Sequence, residues 1–285
     1  MPPSPATPDL YLPVAGALLR YRDEGSGPAV LLIHGWTLDL DMWEPQVAGL
    51  GDSFRLVRFD RRGFGLSSGH ASLAADVQDV LTLCDKLQLE RLACLGMSQG
   101  ARVALHLCRI APDRLSCAIL DGPPRIFADE SAADAEDVPL SEYRALIASG
   151  EIETFRRRWS RHPLMQLQTQ SLQTQSLQTQ SLQPRNLLAR MIARYTGKDL
   201  LLDLPALEDH WESAAAASLR TPILIITGEH DQSPRVRAAD ALGEALPLAE
   251  RASIFAARHI PNLDNPLMYN TVLQAFLERH TGSRR

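Results

Sequence analysis

The stretch Leu95-Gly96-Met97-Ser98-Gln99-Gly100-Ala101 (LGMSQGA) sets one serine between two glycines, directly after the apolar run Leu92-Ala93-Cys94-Leu95. A short, continuous apolar run that ends on glycine is the pattern of a strand covered on both faces, as in a parallel sheet. The same order recurs along the chain. Ala29-Val30-Leu31-Leu32-Ile33 precedes His34-Gly35, and Phe54 to Phe59 precedes Asp60-Arg61-Arg62-Gly63. Leu115 to Leu120 precedes Asp121-Gly122-Pro123, and Ile223 to Ile226 precedes Thr227-Gly228. Helical spacing lies between these runs: Val103, Leu107 and Ile110 fall at i, i+4 and i+7, and Leu273, Phe276 and Leu277 at i, i+3 and i+4. Strand, glycine turn and helix in repetition predict an α/β fold with a doubly wound, mostly parallel sheet.

The rhythm stops between about Ile126 and Arg220, where strand-like runs disappear and Ala, Glu, Arg and Gln dominate. This predicts a core made of residues 1–124 and 220–285, with a helical cap inserted at 125–219. Inside the insertion Leu167-Gln168-Thr169-Gln170-Ser171 (LQTQS) is repeated as Leu172 to Ser176 and Leu177 to Ser181, and a fourth unit opens before Pro184, so the repeat covers about 167–183. A five-residue period turns successive leucines by about 140° around a helix, so they form no single apolar stripe. The repeat reads as a mobile or loosely helical lengthening, which loop-closure entropy penalises only slowly. A polyglutamine-like binding segment is the functional alternative.

With 285 residues, 45% hydrophobic and 22% charged, the chain has the composition of a globular protein with a sizeable core. A net charge of -5 gives no attraction to nucleic acid or to an anionic membrane, and a small neutral or weakly charged ligand fits better. Cys84, Cys94, Cys108 and Cys117 lie in apolar segments without the spacing of a zinc site and read as reduced core residues. The proline-rich start, Met1 to Pro8, has neither the basic region nor the apolar stretch of a secretory signal. No apolar run approaches the length of a membrane span. These features predict a cytoplasmic protein.

A serine hydroxyl is a poor nucleophile unless it is exposed and touches a base. The G-x-S-x-G arrangement on a strand-to-helix turn lifts the hydroxyl above the sheet, and its glycines leave room where side chains would collide. On this architecture the partners follow in the order Ser, Asp or Glu, His. Asp231, just after the run Pro222 to Gly228, and His259 near the C-terminus satisfy that order. His259 then takes the proton of Ser98 and returns it to the leaving group, while Asp231 holds the imidazole. Two amides must face the developing oxyanion: that of Gln99 at a helix N-terminus, and that of Trp36 in the loop His34-Gly35-Trp36-Thr37. The Trp36 ring either walls the acyl pocket or serves plain packing.

Other candidates compete. Asp121 follows the strand after the serine and is the alternative acid. His230 adjoins the proposed acid, but one strand end does not easily supply both partners of the serine. Asp60, among Arg61, Arg62 and Gly63, suits a structural ion pair or loop hydrogen bonds. His70, His106, His162, His210 and His280 have no motif around them and read as surface or structural residues.

Five stretches, LLIHGW (31–36), FDRRGFGLSS (59–68), GMSQG (96–100), PILIITGEHD (222–231) and HIPNLDNP (259–266), resemble the α/β-hydrolase family over most of the chain outside the insertion. The resemblance implies a sheet with a mobile helical cap over a catalytic serine, Asp231 as the acid, and no metal or organic cofactor. Within the family the chain is similar to small microbial carboxylesterases, enol-lactonases and cofactor-free perhydrolases or haloperoxidases. Ala101 stands where many relatives have a second glycine, Thr37 where perhydrolase-type relatives often have proline, and Arg258 where a glycine often precedes the histidine. A long cation at 258 is expected to narrow the site or favour acidic substrates. The leading expectation is a serine hydrolase that cleaves a small-molecule carboxylic ester or lactone. The alternatives are a carbon–carbon bond hydrolase or perhydrolase with the same triad, and a ligand-binding member of the fold without turnover.

Overall fold

The computed structural model of the chain describes residues 7–127, 138–168, 183–202, 211 and 213–282. In chain order the strands are β1 (Leu10–Val14), β2 (Ala17–Gly25), β3 (Ala29–Ile33), β4 (Arg55–Phe59), β5 (Leu92–Met97), β6 (Leu115–Asp121), β7 (Ile223–Gly228) and β8 (Ala249–Ile254). They form one sheet in the order β1-β2-β4-β3-β5-β6-β7-β8. β1 pairs with β2, and β2 with β4, antiparallel; the remaining neighbours run parallel from β4 to β8.

The five runs are β3 to β7; their largely apolar character follows from burial on both faces, and in β4 the buried Arg58 is paired with Glu24 and Glu44. Val30, Leu32, Leu95 and Ile119 join one apolar cluster, whereas Leu31, Ile33, Cys94 and Leu120 join the other. The sequence pattern leaves out β1, β2 and β8. β8 reads AERASI, with Glu250 and Arg251 exposed. An edge strand needs only one buried side, and polar residues along it discourage pairing with another chain.

The helices α1 (Glu44–Leu50), α2 (Leu73–Lys86) and α3 (Gln99–Ile110) fill the first half. Val77, Val80, Val103 and Leu107 cover one face of the sheet. Ile110, placed on that stripe by its spacing, is 46% exposed because it ends α3. Between β6 and β7 the chain leaves the sheet for α4 (Leu140–Ala148), α5 (Ile152–Trp159), α6 (Pro184–Arg194) and α7 (Ser213–Ala217). Phe155, Trp159 and Tyr195 from this segment pack on Trp36, and Tyr143 packs on Phe155 and Trp159, in a cluster of mostly edge-on rings, the arrangement that ring quadrupoles favour. The central part of the LQTQS repeat, residues 169–182, lies outside the described residues. α8 (Ser233–Ala245) joins β7 to β8, and α9 (Pro261–Asp264) and α10 (Pro266–His280) close the chain. Leu273, Phe276 and Leu277 are buried, as their spacing predicts.

The sheet order changes direction at β3, which has β4 on one side and β5 on the other. Loops leaving β3 and β5 diverge there and open a crevice at the carboxyl ends of the strands, where open α/β sheets bind ligands. The four cysteines are free and buried, and burial raises the Cys84 thiol to about 11 and those of Cys108 and Cys117 to about 12. Among the described residues no helix is long and apolar enough to cross a membrane.

Candidate active site

Ser98 stands between β5 and α3 with φ 53° and ψ -113°. A non-glycine residue at such angles carries strain of about 1–3 kcal/mol, tolerated only where the surroundings impose it. Here they do. The Ser98 N–H donates to the Asp121 carbonyl at 2.7 Å, and the Ala101 N–H donates to the Ser98 carbonyl at 2.9 Å. A Cβ on Gly96 would land on the Gly100 carbonyl, and one on Gly100 would land on the Ile33 carbonyl at the end of β3. The glycines therefore let strand, turn and helix close on each other. Ala101 is accommodated inside α3, fully covered.

Gln99 opens α3, so its amide is among the N–H groups left without an intrahelical acceptor. The loop after β3 lies against this turn: a Cβ on Gly35 would stand 2.6 Å from Met97 Sδ and 3.4 Å from Ser98 Cβ. His34 beneath it accepts the Arg61 N–H through Nε2 at 2.8 Å, which leaves Nδ1–H to face the Gly35 carbonyl at 2.8 Å. Burial, with the Arg61 charge beside it, lowers its pKa to about 3, so the imidazole stays neutral. Trp36 Nε1 donates to Asp199 Oδ2 at 2.7 Å, and the Tyr195 hydroxyl donates to Asp199 Oδ1 at 2.6 Å. Thr37, at φ 63°, accepts from Trp159 Nε1 at 2.7 Å.

Asp231 and His259 leave the ends of β7 and β8 and are buried together. His259 Nδ1 lies 3.1 Å from each Asp231 carboxylate oxygen, and Asp231 Oδ1 also accepts the Gln232 N–H at 2.7 Å. Gly122 passes close by, at φ 51°: a Cβ there would lie 2.8 Å from His259 Cε1 and 3.1 Å from Nδ1. A side chain at 122 would push the imidazole away. Asp121 is turned the other way, accepting from the Tyr269 hydroxyl at 2.9 Å. Burial, and the Asp231 charge after it, hold the Asp121 carboxyl well above the usual carboxylate range.

Ser98, Gln99, Trp36 and His259 line one cavity of about 440 Å³, with Met97, Phe64 and Trp159 among its apolar walls. Asp231 supports that wall from behind. The Trp36 ring therefore both walls the cavity and packs on Trp159, with ring centres 4.8 Å apart.

The remaining candidates lie elsewhere. His230 is exposed beside Glu229, His70 is exposed, His162 stacks on Trp159, and His280 faces Glu250. His106 is buried and accepts from Trp211 Nε1 at 3.4 Å; burial, Arg109 and Arg102 lower its pKa to about 4. His210 lies outside the described residues. Asp60 has the structural role expected of it but with a different partner. It takes the Leu40 and Leu66 amides and Arg20 Nη1, at 2.8, 2.7 and 3.2 Å, rather than its chain neighbours Arg61 and Arg62. Arg258, expected to narrow the site, instead points its Nε at Gln168 Oε1 at 2.9 Å and is absent from the cavity wall. Sequence reasoning assigned no role to His34, Asp76 or Asp199. The HGW and DRRG motifs flag His34 and Arg61, but nothing in the sequence links Asp199 to Trp36. Among the described residues no group of three His, Cys, Asp or Glu is arranged to hold a metal ion.

A family model described as alpha/beta hydrolase fold matches residues 28–266, and the chain belongs to that family. It is 25% identical over 264 residues, 91% of this chain and 96% of the other, to a pimeloyl-acyl-carrier-protein methyl ester esterase of Aliivibrio salmonicida. It is 33% identical over 150 residues to a Synechocystis sp. protein provisionally named a non-heme chloroperoxidase, a match that spans half of each chain. Among solved structures, a thermophilic esterase from Thermogutta terrifontis superposes with a TM-score of 0.76 at 23% identity, covering 96% of this chain and 99% of that one. That likeness is one of fold.

Proposed function

We propose that the chain is a serine hydrolase that cleaves a carboxylic ester or lactone of a small molecule through an acyl-enzyme. Ser98 Oγ attacks the acyl carbon while His259 Nε2 takes its proton, and Asp231 steadies the resulting imidazolium through Nδ1–H. The Trp36 and Gln99 amides face the oxyanion of the tetrahedral intermediate. The C–O bond then breaks, with the proton returning from His259 to the leaving alkoxide. Water, deprotonated in turn by His259, attacks the acyl group and releases the acid and Ser98. Every step uses groups of this chain and water, without a cofactor.

The observation that carries this reading is the Asp231–His259 pair on the wall of the cavity that also holds Ser98, at a backbone angle its surroundings enforce. The esterase name of the full-length Aliivibrio relative supports an ester substrate. Residues 125–219 are read as a cap on the 1–124 and 220–285 core, because their aromatic residues pack on Trp36. The net charge of -5 supports a small-molecule partner rather than nucleic acid or an anionic membrane surface. A second reading, perhydrolysis with hydrogen peroxide replacing water at the acyl-enzyme, draws on the half-length likeness to the Synechocystis protein.

A fluorophosphonate probe is expected to label Ser98 and nothing in Ser98→Ala. A panel of p-nitrophenyl esters of rising acyl length, with lactones and a peroxide assay beside it, separates the two readings. Near-normal ester hydrolysis by Ser98→Ala would overturn both.

A further inference from the structure

Arg61 is almost wholly buried, and its side chain reaches three separate elements. Nη1 and Nη2 donate to Gln99 Oε1 at 3.2 and 3.3 Å, and Nη1 also approaches the His34 carbonyl at 3.4 Å. Nε donates to Asp76 Oδ2 on α2 at 2.8 Å. The Arg61 backbone N–H donates to His34 Nε2, and the guanidinium carbon lies 4.9 Å above the Phe64 ring. Gln99 carries one of the two oxyanion amides, and His34 stands two residues before Trp36, which carries the other.

We infer that Arg61 is a positioning residue that fixes the separation of the Trp36 and Gln99 amides, bracing the turn at Ser98 against the loop after β3. The inference rests on the serine-hydrolase reading above. Oxyanion donors act only when both sit about 2.7–3.1 Å from the place where charge develops. The two amides belong to loops from different strands, so their spacing needs something rigid between them. A planar guanidinium suits this, because its donors keep fixed relative directions. Asp76 fills the Nε edge from α2 and so sets the orientation of the plane. A lysine at 61 keeps the charge, but its three donors sit on one freely rotating nitrogen and do not span the Gln99 and Asp76 edges as a rigid plane does.

The test compares wild type with Arg61→Lys and Gln99→Met, the second of which leaves the Arg61–Asp76 pair intact. Fluorophosphonate titration counts competent sites, so rates are expressed per folded site. Both variants are expected to lower kcat for p-nitrophenyl acetate by about 10–100-fold, with KM within about twofold, as for a small misplacement of catalytic groups. Affinity for a boronic acid, which forms the tetrahedral adduct, should fall by the same factor, while affinity for the product acid stays unchanged. A purely structural Arg61 lowers the count of competent sites and leaves kcat per site and boronate affinity intact, which overturns the inference. If Arg61→Lys does not fold, Gln99→Met decides alone. A wild type that takes no label overturns the hydrolase reading and this one with it, whereas a labelled wild type with unchanged variants overturns the role of Arg61 alone.

Discussion

The turn at Ser98 and the loop from Gly35 to Asp41 reach the same cavity, but they are held in different ways. Backbone contacts and missing side chains shape the turn, through Gly96, Gly100 and the amide of Ser98 on the Asp121 carbonyl. Side chains from the segment between β6 and β7 shape the loop. Arg194 pairs with Asp39 and Asp41, Trp159 donates to Thr37, and Asp199 accepts from Trp36. One wall of the site is therefore built by sterics, and the other by polar bonds that span more than 120 residues of chain. Damage to the turn should abolish the site outright. Damage to the loop should be graded and separable from the fold.

Gly96→Ala gives the largest expected effect. The added methyl meets the Gly100 carbonyl, so stability should drop by about 3 kcal/mol or more and kcat by at least about 10²-fold, read by urea unfolding and ester turnover. Arg194→Met should come next, because it leaves the buried Asp39 carboxylate without its cation, whereas Asp41 keeps Arg20 and Arg22 at 3.6 and 3.5 Å. A cost of about 3 kcal/mol is expected, and Asp39→Asn in the same chain should recover much of it. If the single variant is as stable as wild type, the contrast between the two regions fails.

Acid should act on both sides of the sheet at once. The folded pKa of His34 is about 3 and that of His106 about 4, both below the ordinary histidine value of 6.5. Between those limits the unfolded chain takes up protons that the folded chain refuses. The share of stability held by these two neutral imidazoles is therefore full above pH 6.5 and is lost as pH falls towards 4, by up to about 1.4 kcal/mol per pH unit for each histidine. Asp60, raised by burial to about 7, acts in the opposite direction over the same range. Urea unfolding at pH 7.5, 6 and 5 reads the slope, and His106→Gln should shed close to one proton's share of it. Trp159→Phe is the mildest change. It keeps the ring packing but removes the bond to Thr37, for an expected loss of about 1 kcal/mol and a small drop in kcat.

The parallel strands were legible because a strand covered on both faces is largely apolar, as β3, β5 and β7 are, while in β4 the buried Arg58 is paired with Glu24 and Glu44. β8 was not, since an edge strand with Glu250 and Arg251 on it satisfies the same hydrogen-bonding rule without an apolar run. Within the site, Ser98 and its glycines were legible for the same kind of reason: the crowding that demands them is local. The expected role of Arg258 failed because adjacency to His259 says nothing about direction, and its side chain leaves for Gln168.

The sequence alone determined the alternation of strand and helix, the serine turn, and the order of serine, acid and histidine. These follow from sterics and hydrophobic burial acting over a few residues. Tertiary structure decided which partner each polar side chain meets. Asp231 rather than Asp121 touches His259, Arg20 rather than Arg61 joins Asp60, and Arg61 is thereby left to bridge His34 and Gln99. Such choices depend on strand order and on where each side chain points, and both exist only once the sheet has closed.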